Sequence, residues 1–199
     1  MKHVFVETNF LIDLVRPFTG HDAVRLFGRR TTDVRLYVPW VSVVECKRTL
    51  DRIIQEDLGF ADAMQKFGVR QFLDKKITTD DKQVLDALAA SASIARAQAL
   101  NAISATVDAA IADMEVIEPT REVVQTTLAM YPIKSLQPFD EMVLGAVVTR
   151  ARQLREGGTA GLFFCNLNKK DFDPKNRPTL NAEYAACGLT YLASFQVPV

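Results

Sequence analysis

The sequence predicts an α/β protein: three layers, α/β/α, around a central, mostly parallel sheet of four to five strands, with a helical insertion. Three observations predict it. Short β-branched and aromatic runs alternate with stretches of helical periodicity, and such alternation implies right-handed crossovers between parallel strands. Hydrophobic residues make up 48% of the 199 residues and charged ones 24%, which supplies enough apolar surface to offset the entropy of ordering a core. Residues of about 56–132 read as helical with strand signals only on either side. That segment is therefore expected to be an insertion within one domain covering 1–199.

Taken in order, residues 4–6 form a buried strand closed by Glu7-Thr8-Asn9, and a helix follows from Phe10 to a stop near Pro17. Residues 20–30 read as an amphipathic helix with Val24, Leu26 and Phe27 inward. Residues 34–38 form a second strand ended by Pro39, beside which Trp40 is expected to pack. Ser42-Val43-Val44-Glu45 has the pattern of a capping box, opening a helix to about Gln55. Residues 58–73 read as a helix broken near Gly68. Thr79-Asp80-Asp81 opens an Ala-rich stretch reaching Met114, with Val84, Leu88, Ile94, Leu100, Ile103, Val107 and Ile111 roughly on one stripe. Glu118-Pro119-Thr120 begins a short helix ending near Tyr131-Pro132. Pro138-Phe139-Asp140 opens a clear helix with Met142, Val143, Ala146, Val147, Ala151 and Leu154 inward, ended by Gly157-Gly158. Residues 162–165 form a third strand. Residues 181–187 form a short helix stopped by Gly188, and 189–195 a last strand.

Several function classes fall away on composition. No apolar run reaches the roughly 18 residues a membrane span needs, so no membrane partner is expected. The first residues reach Glu7 too early for the apolar core of a signal peptide. Cys46, Cys165 and Cys187 form no close pair, which fits a reducing cytoplasm rather than a disulfide framework. With only His3 and His21, a Cys/His zinc site or a histidine-based triad is hard to build. Lys+Arg and Asp+Glu both number 24, which excludes a globally basic nucleic-acid coat. The charges are segregated, however. Residues 147–180 hold seven basic side chains against three acidic, and 78–118 hold two against seven. A basic flank of that kind binds a phosphate backbone. Lys47, Arg48 and Arg52, on the helix bearing Glu45, are expected to add to it.

In a parallel α/β sheet, ligands bind at the carboxyl ends of the strands. Four acids fall at that edge: Glu7 after the first strand, Glu45 on the helix after the second, Asp140 opening the helix before the third, and Asp171 after the third. Oxygen ligands gathered this way repel one another unless a hard divalent cation, Mg²⁺ or Mn²⁺, neutralises them. Each acid also has a plainer reading. Glu45 fits the capping box, Asp140 an N-cap, and Asp171 a turn brace. Glu141, next to Asp140, reads as solvent-facing, and Asp13 fits equally a solvated helix face and an acidic position in the helix that follows the first strand. Glu7 has the fewest structural reasons for its place.

Val4-Phe5-Val6-Glu7-Thr8-Asn9 resembles the opening motif of the PIN-domain nucleases, a strand followed by Asp-Thr-Asn or Asp-Thr-Ser. Val44-Glu45 resembles their helix-borne glutamate. Residues 139–146 resemble their aspartate opening an apolar helix, and Asn166-Leu167-Asn168-Lys169-Lys170-Asp171-Phe172 their fourth motif. Residues 188–192 look like the family's last strand. The resemblance covers about 1–55 and 136–199. Glu7 departs from the family's Asp, keeping the ligand oxygens one methylene further out.

The resemblance implies a PIN-like fold and an endoribonuclease that hydrolyses RNA phosphodiesters with one or two Mg²⁺ or Mn²⁺ ions. Glu7, Glu45, Asp140 and Asp171 would be the ligands. Thr8 and Asn9 would support them, and Asn166, Asn168, Lys169 and Lys170 would orient the site or hold substrate. It further implies products with 5′-phosphate and 3′-hydroxyl ends, RNA as partner, an antitoxin or other protein partner if the chain is a toxin of a toxin–antitoxin pair, and a homodimer. Two other readings stay open. One is a PIN-like module that binds RNA or a partner without cutting. The other is a phosphoryl-transfer enzyme on small molecules, against which stands the lack of a Gly-rich phosphate loop.

Overall fold

The computed structural model describes residues 1–15, 20–134 and 136–198. The expected helix stop at Pro17 lies outside them, as does the side chain of Leu100. The elements in order are β1 (Lys2–Phe5), α1 (Thr8–Leu14), α2 (His21–Gly28), β2 (Val34–Pro39), α3 (Trp40–Leu73), α4 (Thr79–Ala112), β3 (Glu115–Ile117), α5 (Arg121–Lys134), α6 (Pro138–Glu156), β4 (Leu162–Cys165), α7 (Lys169–Phe172), α8 (Thr179–Cys187) and β5 (Leu189–Leu192). A short 3₁₀ turn, Arg29–Thr31, precedes β2. The chain divides into two compact units: Met1–Cys46 with Val107–Val199, and Lys47–Thr106.

The first unit holds the five-stranded sheet, in the order β3-β2-β1-β4-β5 and parallel throughout. β1 is central, with Phe5 level with Tyr37 on one side and Phe164 on the other. Strand side chains alternate between faces. Phe5, Tyr37, Leu162, Phe164 and Leu189 point into a core built with Val143, Val147, Ala151, Leu180 and Tyr184 of α6 and α8. Val4, Val6, Leu36 and Val38 take the other face, where α1 and α2 bury Phe10, Leu11, Ala23 and Leu26. This is a three-layer α/β/α arrangement. Trp40 packs against the core, as its place beside Pro39 suggests.

β3 has no counterpart in the sequence reading. It is three residues long, begins with a glutamate and exists through its pairing of Val116 with Val38. Short edge strands carry little local signal, because neighbours and not propensity decide them. β3 and α5 both belong to the sheet unit, so the second unit ends well short of residue 132.

α5 and α6 pack so closely that a Cβ on Gly145 would lie 3.0 Å from Thr127 Cα. That approach requires glycine. α8 ends at Gly188, whose φ of 68° lets the chain reverse directly into β5. β5 stops at Leu192 rather than 195. Beyond it Phe195 packs edge-on against Phe10, with ring centroids 5.1 Å apart.

Three expectations on side-chain direction fail. Val24 is 54% exposed and Met142 38% exposed, while Glu141 is buried. α6 buries residues on nearly every side of its first half, so neighbouring positions need not split into inside and outside.

The second unit is made from two long helical segments. α3 runs unbroken from Trp40 to Leu73, and Gly68 lies buried against Leu85 without ending it. One internal glycine costs a helix only about 1 kcal/mol, too little to break it. α4 begins with a reciprocal cap. The Asp81 carboxylate accepts from the Thr78 N–H at 2.9 Å, and the Asp81 N–H donates to Thr78 Oγ1 at 3.1 Å. The expected apolar stripe is not buried as one, since Val84, Leu88 and Ile94 are exposed while Val107 is buried. Alanines on every side of α4 leave its periodicity too weak to specify a face.

Candidate functional site

β1 delivers its exit residues to the carboxyl edge of the sheet. The Val6 N–H donates to the Tyr37 carbonyl at 2.9 Å, and Glu7 is the next residue. It turns the chain into α1 as the N-cap. One carboxylate oxygen, Oε2, accepts from the Asn9 N–H at 3.0 Å. Glu7 therefore has a structural role that the sequence did not suggest. The other oxygen, Oε1, is buried and has no hydrogen-bond partner. Burial is the largest influence on this group, and Glu45 and Asp140 add to it; together they outweigh the Asn9 bonds and push its pKa from 4.5 to about 7.

Glu45 lies on α3 within the sheet unit, where its carboxylate accepts a short hydrogen bond from the Thr8 hydroxyl. It is not a capping-box partner. α3 starts two residues before Ser42, and the buried Ser42 hydroxyl has no partner. Thr8 therefore fixes the Glu45 side chain and ties α1 to α3. Asp140 is not the N-cap of α6; Gln137 is, without a side-chain cap. Asp140 is half-buried, and its pKa stands at about 6 instead of 3.8, raised first by burial and then by Asp171 and Glu45, against the opposing charge of Arg177. The charge of buried Glu141, the next residue in the chain, also raises the Asp140 pKa slightly.

Asp171 approaches Asp140 but is already engaged. Arg177 Nη2 donates to it at 2.8 Å and Asn168 Nδ2 at 3.1 Å. Asn166 is fully buried at the end of β4; its Oδ1 accepts from the Asn168 N–H at 2.7 Å, and its Nδ2 has no partner. In the β1–β4 register Phe5 is level with Phe164, and Glu7 and Asn166 each follow that pair by two residues. An unpaired acceptor and an unpaired donor thus end two neighbouring strands. Unpaired buried groups cost roughly 1–3 kcal/mol each, so both are unfavourable for the fold taken alone. Asn9 holds Glu7 through its backbone, and Lys169 and Lys170 sit exposed on α7.

The basic flank resolves into two kinds of residue. Arg150, Arg152 and Arg177 are paired with Glu115, Glu183 and Asp171, and Arg155 donates to the Ala185 and Ala186 carbonyls. Lys169, Lys170 and Lys175 are exposed instead. Tyr191, which the sequence reading passed over, donates from its hydroxyl to the Asn166 carbonyl at 2.8 Å.

Glu7, Glu45, Asp140 and Asp171 are therefore coupled by charge at one edge. Among the described residues, however, no three His, Cys, Asp or Glu side chains stand as a group able to hold a metal ion. Glu45 turns to Thr8 and Asp171 to Arg177. The donor chemistry nevertheless suits a divalent cation: oxygens only, one of them buried and unpartnered. Among the described residues no helix is long and apolar enough to cross a membrane. The chain matches no protein-family model and no curated protein.

Proposed function

We propose that this chain is a Mg²⁺- or Mn²⁺-dependent endoribonuclease of the kind its PIN-like motifs suggest. One observation carries the reading. Glu7 is held at the carboxyl end of the central strand with one oxygen bare, and burial and two further acids raise its pKa to about 7. A carboxylate so placed is costly for the fold and useful to a cation. Glu7, Glu45 and Asp140 would hold the ion, with Asp171 joining if it leaves Arg177. The ion would supply positive charge against the negative charge developing on the phosphoryl oxygens.

The remaining chemistry belongs to this chain's own residues. Thr8 keeps Glu45 in one rotamer. The buried Asn166 holds an unpaired Nδ2–H that a water could accept, and Asn168 orients Asp171. Lys169 and Lys170 attract the RNA backbone beside the acids. A cytoplasmic setting belongs to the same proposal, because Cys46, Cys165 and Cys187 are buried free thiols.

The test is a labelled RNA pool incubated with Mn²⁺ or Mg²⁺, with and without EDTA, beside Asp140→Asn. EDTA-sensitive cleavage that the variant loses supports the proposal. RNA binding with no cleavage in either metal would favour the module that binds without cutting, a reading that the Arg177–Asp171 pair supports.

A further inference from the structure

A groove of about 590 Å³ runs along the free edge of β5, between that strand and the segment from Asp173 to α8. β5 is an edge strand, bonded only to β4, so one side of its backbone is open. The groove is lined by the half-buried ring of Tyr191, with Tyr184 almost wholly buried beneath it, by Asn181 and Thr190, and by Lys175 next to Asp173. The two rings lie parallel within 5°, with centroids 6.3 Å apart. Phe164 meets both edge-on, fixing their orientation from below. Lys175 is exposed, and the Asp173 carboxylate accepts the Lys175 backbone N–H at 2.9 Å, which fixes the turn that carries it.

The groove is joined to the acidic edge through one residue. Tyr191 lines the groove, while its hydroxyl reaches back to the Asn166 carbonyl at the end of β4. A rigid aromatic surface, an amide and a cation in one open groove match single-stranded nucleic acid, where bases stack and phosphates meet lysines. An added peptide strand would use the open backbone edge but would need neither Lys175 nor the ring surface.

We infer that this groove holds RNA flanking the bond to be cut, with a base stacked on Tyr191 and a phosphate at Lys175. The inference rests on the nuclease reading for its substrate, but it is a claim about binding and is testable without cleavage. Full-length protein in EDTA is mixed with a fluorescent single-stranded RNA bearing 4-thiouridine, its affinity is measured, and the photo-crosslinked peptides are mapped. A crosslink at Tyr191 is expected. Lys175→Glu should weaken binding roughly tenfold at 0.1 M salt and lower the salt dependence by about one charge. The wild-type crosslink needs no substitution in the core, so a poorly folding tyrosine variant does not decide the matter. Crosslinks confined to other peptides, with Lys175→Glu unchanged, would overturn the groove even if the RNA is cut once metal is added. Binding of an unrelated extended peptide, with no RNA bound, would overturn it in favour of strand addition. Crosslinking at Tyr191 with no cleavage in any metal would keep the groove and refute the nuclease.

Discussion

Replacing Glu7 by Gln should make the metal-free protein more stable, and more so in alkali than in acid. The Glu7 pKa is raised from 4.5 to about 7 by burial and neighbouring acids. A group whose folded pKa lies above its unfolded one stabilises the fold while protonated. That contribution is complete below about 4.5 and is lost as pH rises through about 7. Each unit is worth about 1.4 kcal/mol, so the ionised wild type forgoes about 3 kcal/mol at pH 8 and under about 1 kcal/mol at pH 5. Glutamine removes the charge, keeps an oxygen for the Asn9 N–H and preserves the volume. Urea unfolding in EDTA, followed by fluorescence of the single tryptophan, Trp40, reads the sheet unit directly. Glu7→Gln is expected to gain about 3 kcal/mol at pH 8 and little at pH 5. In a protein of this size that corresponds to roughly 6–12 °C in Tm. Equal stability at pH 8, or a gain of the same size at both pH values, would refute the claim that burial and repulsion make Glu7 costly.

Three further outcomes are expected. RNA cleavage should rise between about pH 6 and 7, as Asp140 and then Glu7 lose their protons, and a pH–rate profile checks this. Arg177→Gln should move that rise to higher pH, because the Arg177 charge holds the Asp140 pKa down, and the same variant releases Asp171. Gly145→Ala should destabilise the sheet unit by about 1–3 kcal/mol, because the added methyl meets Thr127 at the α5–α6 contact; thermal unfolding measures it.

The parts of the fold readable in advance were those in which local pattern and tertiary role agree. The apolar runs at 4–6, 34–38 and 162–165 became β1, β2 and β4 within a residue or two, and Gly188 stops α8 through its positive φ. β3 was invisible because three residues beginning with Glu115 make a strand only when β2 is beside them. The position of Glu7 after β1 was legible, but its capping of α1 was not, since that depends on which oxygen reaches Asn9. Glu141 was misread because adjacent helix positions were assumed to face apart, whereas α6 is enclosed around most of its first half. Net charge along residues 147–180 was legible and misleading. Three of its arginines are spent on Glu115, Glu183 and Asp171, the exposed Arg155 donates to two backbone carbonyls, and the remaining exposed cations are Lys169, Lys170 and Lys175. Pairing across the fold is a property of three-dimensional neighbours, which charge counts along a chain do not carry.

Glu7, Glu45 and Asp140 are proposed to form one cation-holding edge. Calorimetric titration of Mn²⁺ into the protein near pH 6.5, in two buffers of different protonation enthalpy, tests it most directly. Glu7 at about 7 and Asp140 at about 6 are partly protonated there, so binding should displace protons. Saturable binding with net proton release is expected, with loss of both in Asp140→Asn. Absence of saturable binding, or binding that releases no protons and survives Asp140→Asn, would contradict it.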